Sequence, residues 1–180
     1  YFTGFKMKKM TIIDFVEKYT HEYSELTFLR EKVNGVWTET SFRETREEAY
    51  RISAGLMQLG LKKGDKVSLL SQGRNLWITS ELGILYAGAV NVPLSIKLTE
   101  TTDLLFRIQH SESRFVIVSE QQLPKIRQII DEVVAKGRLP EGIDPVRLEE
   151  DVFNEAMRLG PLEELLDDDS VSEIMVNGPE

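Results

Sequence analysis

The stretch that decides the fold is Gly60-Leu-Lys-Lys-Gly-Asp-Lys-Val-Ser-Leu-Leu70, which is followed further along by Val90-Asn-Val-Pro-Leu94. In the first string, a Lys-Lys-Gly-Asp turn leads into an apolar run that is typical of a buried strand. On its C-terminal side the patterns predict helices and strands in alternation, at residues 75–88 (helix), 90–94 (strand), 102–111 (helix), 114–119 (strand) and 120–137 (helix). This alternation indicates an α/β fold with a partial parallel sheet and right-handed crossover helices.

A β-hairpin is predicted on the N-terminal side, after a first helix that opens at Thr11. Its strands, residues 27–33 and 36–38, flank the pair Asn34-Gly35, whose backbone tolerates the positive φ angles of a type I′ turn. Trp37 belongs to the second strand pattern, and we predict that it packs in or near the core.

The second helix is predicted from its start and stop signals. Ser41-Phe-Arg-Glu44 fits a capping box, in which each side chain satisfies a free N–H group at the helix start. Gly60 is a natural C-terminal stop. The charged residues along its other face are expected to face solvent, and they include Arg43, Glu47 and Arg51.

The helix predicted over residues 75–88 is apolar on most of its surface. Glu81 is its only charged residue. We therefore expect this helix to lie between layers rather than on the outside of the fold. Its tryptophan, Trp77, is predicted to pack in or near the core.

Composition excludes several classes of protein. The 180 residues include 41% hydrophobic residues and no cysteine, which excludes a disulfide scaffold, a thiolate metal site and a cysteine nucleophile. No apolar run approaches the roughly 18 residues that a membrane-spanning helix needs, and the first ten residues lack the apolar core of a signal peptide. We therefore expect a cytoplasmic protein with no membrane span.

Charge is distributed unevenly along the chain. The formal net charge is −8, but residues 131–180 carry 15 acidic and 4 basic side chains, a net charge of −11. This change predicts a boundary near residue 130. An acidic, solvated C-terminal helix on a single domain is the alternative. Nucleic acid is not an expected partner, because its phosphates repel an acidic surface.

The residues quoted above carry a resemblance to a known family. The run from Ser41 to Leu70, followed by Leu85-Tyr-Ala-Gly-Ala-Val-Asn-Val-Pro-Leu94, resembles the beginning of the AMP-forming adenylating enzymes, in particular the long-chain acyl-CoA synthetases. The similarity covers about residues 10–130. The resemblance implies that residues 1–130 form a domain, which is the N-terminal fragment of a fatty acid:CoA ligase. In that family the helices and strands named above build the outer part of the large N-terminal domain.

The resemblance implies ATP, Mg and CoA for full-length relatives, but the groups that would bind them are not found in this sequence. A loop that holds phosphates needs glycine with serine or threonine in quick succession, and no such loop is present. The adenine and ribose motifs and the lid lysine are not found either. We therefore predict no catalytic, cofactor-binding or metal-binding residue, no bound cofactor, and no activity of this chain alone.

A second resemblance covers residues 131–180. The strings Gly160-Pro-Leu-Glu-Glu-Leu-Leu166 and Ser172-Glu-Ile-Met-Val-Asn-Gly178 resemble the start of the ATPases that power pilus assembly and type IV secretion. A helical acidic segment ending in a strand, Glu173 to Asn177, is predicted here. No Gly-x-x-x-x-Gly-Lys-Ser/Thr loop accompanies it. The apolar core of that strand, Ile174 to Val176, has an edge through which the chain could self-associate.

Single residues that could carry chemistry have simpler interpretations. His21 lacks the second histidine of a zinc-binding helix, and His110 is better placed as a partner of a helix dipole than as a base. Asp167 to Asp169 lack the ligand spacing of a calcium loop and are expected to be a solvated turn. Solvation is also the simpler interpretation of the turn lysines, which are Lys62, Lys63 and Lys66.

Together these patterns predict a chimera of two incomplete fragments, joined near residues 125–140 by an exposed connection around residues 136–142. The alternative is a non-catalytic scaffold or interaction module whose acidic tail docks onto a basic partner.

Overall fold

The computed structural model of the protein describes residues 10–136. The chain divides into two compact units. The first unit comprises the residues up to Gly64 together with Gly73–Val90, and the second comprises Asp65–Gln72 together with the residues from Asn91 onward. Most of the helical acidic segment predicted within residues 131–180, its strand at 173–177 and most of the connection at 136–142 lie outside the described residues. The boundary near residue 130 therefore stays a prediction.

The first unit consists of three helices and a hairpin. Both of its leading helices begin at capping boxes, at Thr11 with Asp14 and at Ser41 with Glu44, so that local side chains satisfy the free N–H groups of the first turns. The capping box predicted at Ser41 is confirmed. The elements are α1 (Ile12–Tyr23), β1 (Thr27–Val33), β2 (Val36–Ser41), α2 (Phe42–Gln58) and α3 (Asn75–Tyr86).

The predicted hairpin is confirmed, but the placement of one tryptophan was wrong. β1 and β2 pair antiparallel around Asn34 and Gly35, whose φ angles are +49° and +83°. Trp37 is 60% exposed rather than packed in the core. The strand pairing places it opposite Lys32 on a face that nothing in the described first unit covers, and the guanidinium of Arg30 lies 5.9 Å from its ring.

Helices α2 and α3 approach each other closely in the first unit. A Cβ atom added to Gly83 would lie 2.6 Å from Cγ2 of Ile52, so only glycine permits this contact. Around it, the core is built on Val16, Ala49 and Leu82, one residue from each helix. The close approach explains why α3 carries so few charged residues, since several consecutive positions are buried. Trp77 is half-buried, as a near-core position requires.

The second unit contains a three-stranded parallel sheet with the order β4-β3-β5. The connection from β4 through α4 to β5 passes the central strand, as crossover connections do. The fold class predicted from the sequence is confirmed for the described residues. The elements are β3 (Lys66–Leu70), β4 (Val90–Pro93), α4 (Thr101–His110), β5 (Ser113–Val118), a 3-10 turn (Glu120–Gln122) and α5 (Leu123–Ala135).

The core of the second unit lies between its sheet and its two helices. Leu70 of β3 and Leu94, just after β4, are buried together with Leu104 of α4 and Ile129 of α5. The helix predicted over residues 120–137 begins later than expected, at Leu123, after the 3-10 turn. A proline in the first turn explains this start, because its missing N–H group costs nothing there. No helix among residues 10–136 combines the length and apolar character needed to cross a membrane.

Candidate functional site

The two histidines are placed in different units. His21 lies in the last turn of α1 and is exposed. His110 is the last residue of α4, where a positive charge interacts favourably with the helix dipole. Its ring stacks on Phe106 at a centroid distance of 5.4 Å. The predicted position of His110 at a helix end is confirmed, and neither histidine has a metal-binding partner set among the described residues.

The turn lysines lie at the surface of the molecule, where Lys66 forms an ion pair. Lys66 Nζ lies 2.7 Å from Glu112 Oε2, and this contact lowers the pKa of the Glu112 carboxyl below its ordinary value. Lys62 and Lys63 are exposed, and the methylene groups of Lys63 lie near Gly88. Lys66 is therefore held by a carboxylate rather than simply solvated. Asp167 to Asp169 lie outside the described residues.

Four ionisable side chains of the first unit form a hydrogen-bonded polar cluster around Glu17. Glu17 Oε1 accepts hydrogen bonds from Arg46 Nε at 2.8 Å, from Tyr50 Oη at 2.8 Å and from Tyr86 Oη at 2.6 Å. Burial alone would raise the pKa of the Glu17 carboxyl, but the hydrogen bonds from Arg46, Tyr86 and Tyr50 together lower it to about 2.

The same contacts fix the protonation states of the cluster. Burial, together with the hydrogen bond to Glu17, raises the pKa of Tyr86, and the same two causes raise the pKa of Tyr50. Near neutral pH the carboxylate is ionised and both hydroxyls are protonated. The hydrogen bonds of the cluster connect α1, α2 and α3. Because these groups keep their protonation states near neutral pH, the cluster is not suited to acid-base catalysis.

The carboxyl edge of the sheet is the place where parallel α/β sheets commonly bind ligands. At the ends of β3 and β5, Ser119 Oγ donates a hydrogen bond to Gln72 Oε1 at 2.7 Å. Gln122 is 8% exposed, and its Oε1 has no hydrogen-bond partner among the described residues. These groups can exchange hydrogen bonds with a ligand, but they include no acid, base or activated nucleophile.

A groove of about 400 Å³ lies elsewhere in the second unit, between the end of β4 and the C-terminal half of α4. Its lining is mostly apolar and includes the polar side chains of Arg107 and His110. The lining residues are Val92, Pro93, Leu94, Ser95, Leu98, Phe106, Arg107, His110 and Ser111. Sequence reasoning missed this groove because its two sides are separated along the chain, and only His110 was singled out.

The family resemblance implies ATP and Mg, but residues 10–136 form no site that is suited to either of them. No group of three or more histidine, aspartate or glutamate side chains between residues 10 and 136 is arranged to hold a metal ion. Of the four described glycines with positive φ, Gly60 and Gly64 share the connection between α2 and β3, which contains no serine or threonine, and Gly35 and Gly88 lie in other turns.

A sequence model of the AMP-binding enzyme family matches residues 16–173, which is most of the chain. The chain belongs to this family. The resemblance of residues 10–130 to AMP-forming enzymes is thus confirmed at the level of the family. The match also includes residues 131–173, which lie in the segment that resembles secretion ATPases. That second resemblance stays a prediction.

Individual ligases are similar to part of this chain. The 4-hydroxybutyrate–CoA ligase 2 of Metallosphaera sedula is 34% identical over 92 residues, which are 51% of this chain and 17% of that ligase. The long-chain-fatty-acid–CoA ligase FadD15 of Mycobacterium bovis is 36% identical over 62 residues, which are 34% of this chain and 10% of that ligase.

A solved structure is similar to the fold as well. The crystal structure of coronafacic acid ligase from Pectobacterium brasiliense matches with a TM-score of 0.62 at 28% identity, covering 69% of this chain and 24% of that protein. The chain thus spans a quarter or less of the length of each of these three relatives.

Proposed function

We propose that residues 10–136 form a supporting part of an AMP-forming acyl-CoA ligase. In that reaction a carboxylate oxygen of the acid attacks the α-phosphate of ATP and pyrophosphate leaves. The acyl-adenylate then passes its acyl group to the thiol of CoA and releases AMP. The observation that carries the proposal is the family match over residues 16–173, and the three similar proteins are all named as ligases of carboxylic acids.

The described residues supply a framework in this proposal. The buried residues Leu70, Leu94 and Leu104 hold the sheet against its helices, and Ser119 ties the ends of two strands through Gln72. The fatty acid suggested by the long-chain resemblance is one class of acid among several, because the relatives are named for 4-hydroxybutyrate, long-chain fatty acids and coronafacic acid.

We also propose that the 180-residue chain alone does not form an acyl-adenylate. Adenylation needs groups fixed around the phosphates of ATP, both to position the reacting atoms and to stabilise the developing charge. The sequence contains no Ser/Thr/Gly-rich loop that could do this. We expect the purified chain to show no acid-dependent exchange of pyrophosphate into ATP. Exchange that requires added fatty acid and survives repurification would contradict this.

The supporting role is tested by a segment exchange in the 4-hydroxybutyrate–CoA ligase 2. Residues 10–136 of this chain would replace the matching segment of that ligase, and formation of 4-hydroxybutyryl-CoA would be measured. We expect a folded chimera that retains ligase activity. The control carries Leu104→Asp in the exchanged segment, which places a charge at a site that is 1% exposed and should abolish folding. A folded, inactive chimera would argue against the proposal.

For residues 131–180 we keep the secretion-ATPase origin as a separate proposal. It is supported by the strings at residues 160–166 and 172–178 and by the net charge of −11 in this segment. Sequencing of the encoding message across codons 120–145 tests it. A junction between two otherwise unrelated messages would support a chimera, and a continuous message shared with full-length AMP-binding enzymes would contradict it.

A further inference from the structure

The loop between β4 and α4 is held more by polar contacts than by burial. It comprises residues 95–100, which follow the buried Leu94, and every side chain of the loop except that of Leu98 is exposed. Leu98 packs against the core of the second unit, whereas Ile96 is 38% exposed. A segment with few buried apolar contacts has a low free energy of local opening. The polar contacts of the loop therefore decide whether it stays closed.

Lys125 of α5 holds the middle of this loop. Its Nζ donates hydrogen bonds to the carbonyl oxygen of Ile96 at 2.7 Å and to that of Leu98 at 2.8 Å. Hydrogen bonds from a charged donor are roughly twice as strong as those between neutral groups. Since the two carbonyls flank Lys97, one ammonium group fixes the backbone on both sides of that residue.

Glu132 of the same helix holds the end of the loop. Thr101, the first residue of α4, donates a hydrogen bond from its Oγ1 to Glu132 Oε1 at 2.5 Å. Whereas α1 and α2 begin at capping boxes, the N-cap residue of α4, Glu100, makes no side-chain capping bond. Lys125 and Glu132 are seven residues apart, which is about two helical turns, so they lie on one face of α5. One face of α5 thus holds the loop at two points.

The loop also forms part of the groove beside α4. Ser95 and Leu98 line the groove from the loop, and Phe106 and His110 line it from α4. The carbonyl oxygen of Leu98 is one of the two that Lys125 binds. A movement of the loop away from Lys125 would therefore move Leu98 and change the lining of the groove.

We propose that residues 95–100 are a lid on this groove and that α5 controls the lid through Lys125. In the closed state the ammonium group holds both carbonyls that flank Lys97. When this contact is lost, the lid moves away from α5 together with Leu98, and the groove widens. The closed state is favoured only by the contacts that it alone makes, and those from Lys125 are the strongest polar ones. The proposal does not depend on ligase activity, because it concerns the chain without ATP, acid or CoA.

Cleavage by trypsin after Lys97 measures the opening of the lid, because proteolysis of a folded chain follows the population of its locally opened state. The full 180-residue chain would be digested briefly under native conditions, and the fragment that begins at Leu98 would be quantified by mass spectrometry. The variant Lys125→Met removes the ammonium group and keeps an aliphatic side chain. We expect cleavage after Lys97 to rise about tenfold, as the loss of hydrogen bonds from a charged donor predicts. Cleavage after Lys63, in the connection between α2 and β3, should not change.

Two further variants make the comparison specific to the contact. The matched control is Lys136→Met, which removes the same charge from the end of α5, where Lys136 pairs with Glu132 Oε2 and leaves Oε1 to Thr101. It should leave cleavage after Lys97 unchanged. The variant Lys125→Arg keeps a positive charge and several N–H donors, so it should retain most of the protection.

The two histidines report whether the groove changes with the lid. His110 lines the groove and His21 lies on α1 in the other unit, and the chain has no third histidine. Their imidazole Cε1 proton resonances would be recorded by NMR, and the variant His110→Gln assigns the two signals. Lys125→Met should shift the His110 resonance and leave the His21 resonance unchanged.

Three results would overturn the proposal. Unchanged cleavage after Lys97 in a folded Lys125→Met variant would show that the ammonium group does not hold the loop. Equal rises in cleavage after Lys97 and after Lys63 would show that the whole chain loosens rather than the loop alone. Faster cleavage after Lys97 without a shift of the His110 resonance would show that the loop opens without changing the groove and is not its lid.

Discussion

At the scale of single residues, the carboxylate of Glu17 shows how a local pattern can hide a long-range contact. The charges of α2 were expected to face solvent, and Arg43 does so, although it pairs with Glu25, which precedes β1, at 2.9 Å as well as with Glu47 one turn away at 3.5 Å. Arg46 instead reaches Glu17 on α1, while Tyr86 reaches the same carboxylate from α3. The spacing of residues within one helix predicts contacts between neighbouring turns, and it cannot predict partners that only the packing of three helices brings together.

The variant Glu17→Gln should therefore destabilise the chain in a pH-dependent way. The pKa of Glu17 falls from its ordinary value of 4.5 to about 2 in the folded chain, so the carboxylate stabilises the fold above about pH 4.5 and loses this effect as the pH falls toward 2. Because its side chain is 37% exposed, solvent screening reduces the effect, and we expect about 1–2 kcal/mol at pH 7. Urea unfolding at pH 7 and pH 3 measures it.

The control for this measurement is Glu48→Gln, which removes the same charge from a surface pair with Arg51. It should cost less than about 0.5 kcal/mol at both pH values. The difference between wild type and Glu17→Gln should shrink at pH 3. An equal loss of stability at both pH values would show that the ionised carboxylate is not what holds the three helices.

At the scale of elements, start and turn signals were predictable because their chemistry is contained within four residues. The type I′ turn at Asn34-Gly35 and the capping box at Ser41 both formed where the sequence placed them. The prediction that Trp37 is buried was wrong. The alternation of side chains along a strand predicts which residues share a face of the hairpin, but not which face another element will cover. The groove was not predicted for the same reason, since Leu98 and Phe106 meet only after β4 and α4 have packed.

The capping box of α2 supports a prediction at this scale. Ser41 Oγ accepts a hydrogen bond from the N–H of Glu44 at 3.2 Å, and the carboxylate of Glu44 accepts one from the Ser41 N–H at 2.8 Å. The variant Ser41→Ala should lower the free energy of unfolding by about 1 kcal/mol, whereas Ser41→Thr should restore most of it. Thermal or urea unfolding of both variants measures the effect. Equal stability of the alanine and threonine variants would exclude the cap as the cause.

At the scale of the whole molecule, parts of the chain match ligases that are named for acids of very different size, from 4-hydroxybutyrate to long-chain fatty acids. The chain is 34% identical to the first ligase over 92 residues and 36% identical to the second over 62, so similarity to this part of a ligase does not depend on the acid for which that ligase is named. We therefore predict that the chimera of the 4-hydroxybutyrate–CoA ligase 2 keeps the acid preference of its parent.

The ratio of kcat/KM for 4-hydroxybutyrate to kcat/KM for palmitate should change less than about threefold in this chimera. Each tenfold change in the ratio requires a difference of about 1.4 kcal/mol in how strongly the enzyme binds the two transition states. A shift of the preference toward palmitate by tenfold or more would mean that the exchanged segment contacts the acid, and Leu98, Phe106 and Arg107 would then be the first residues to replace.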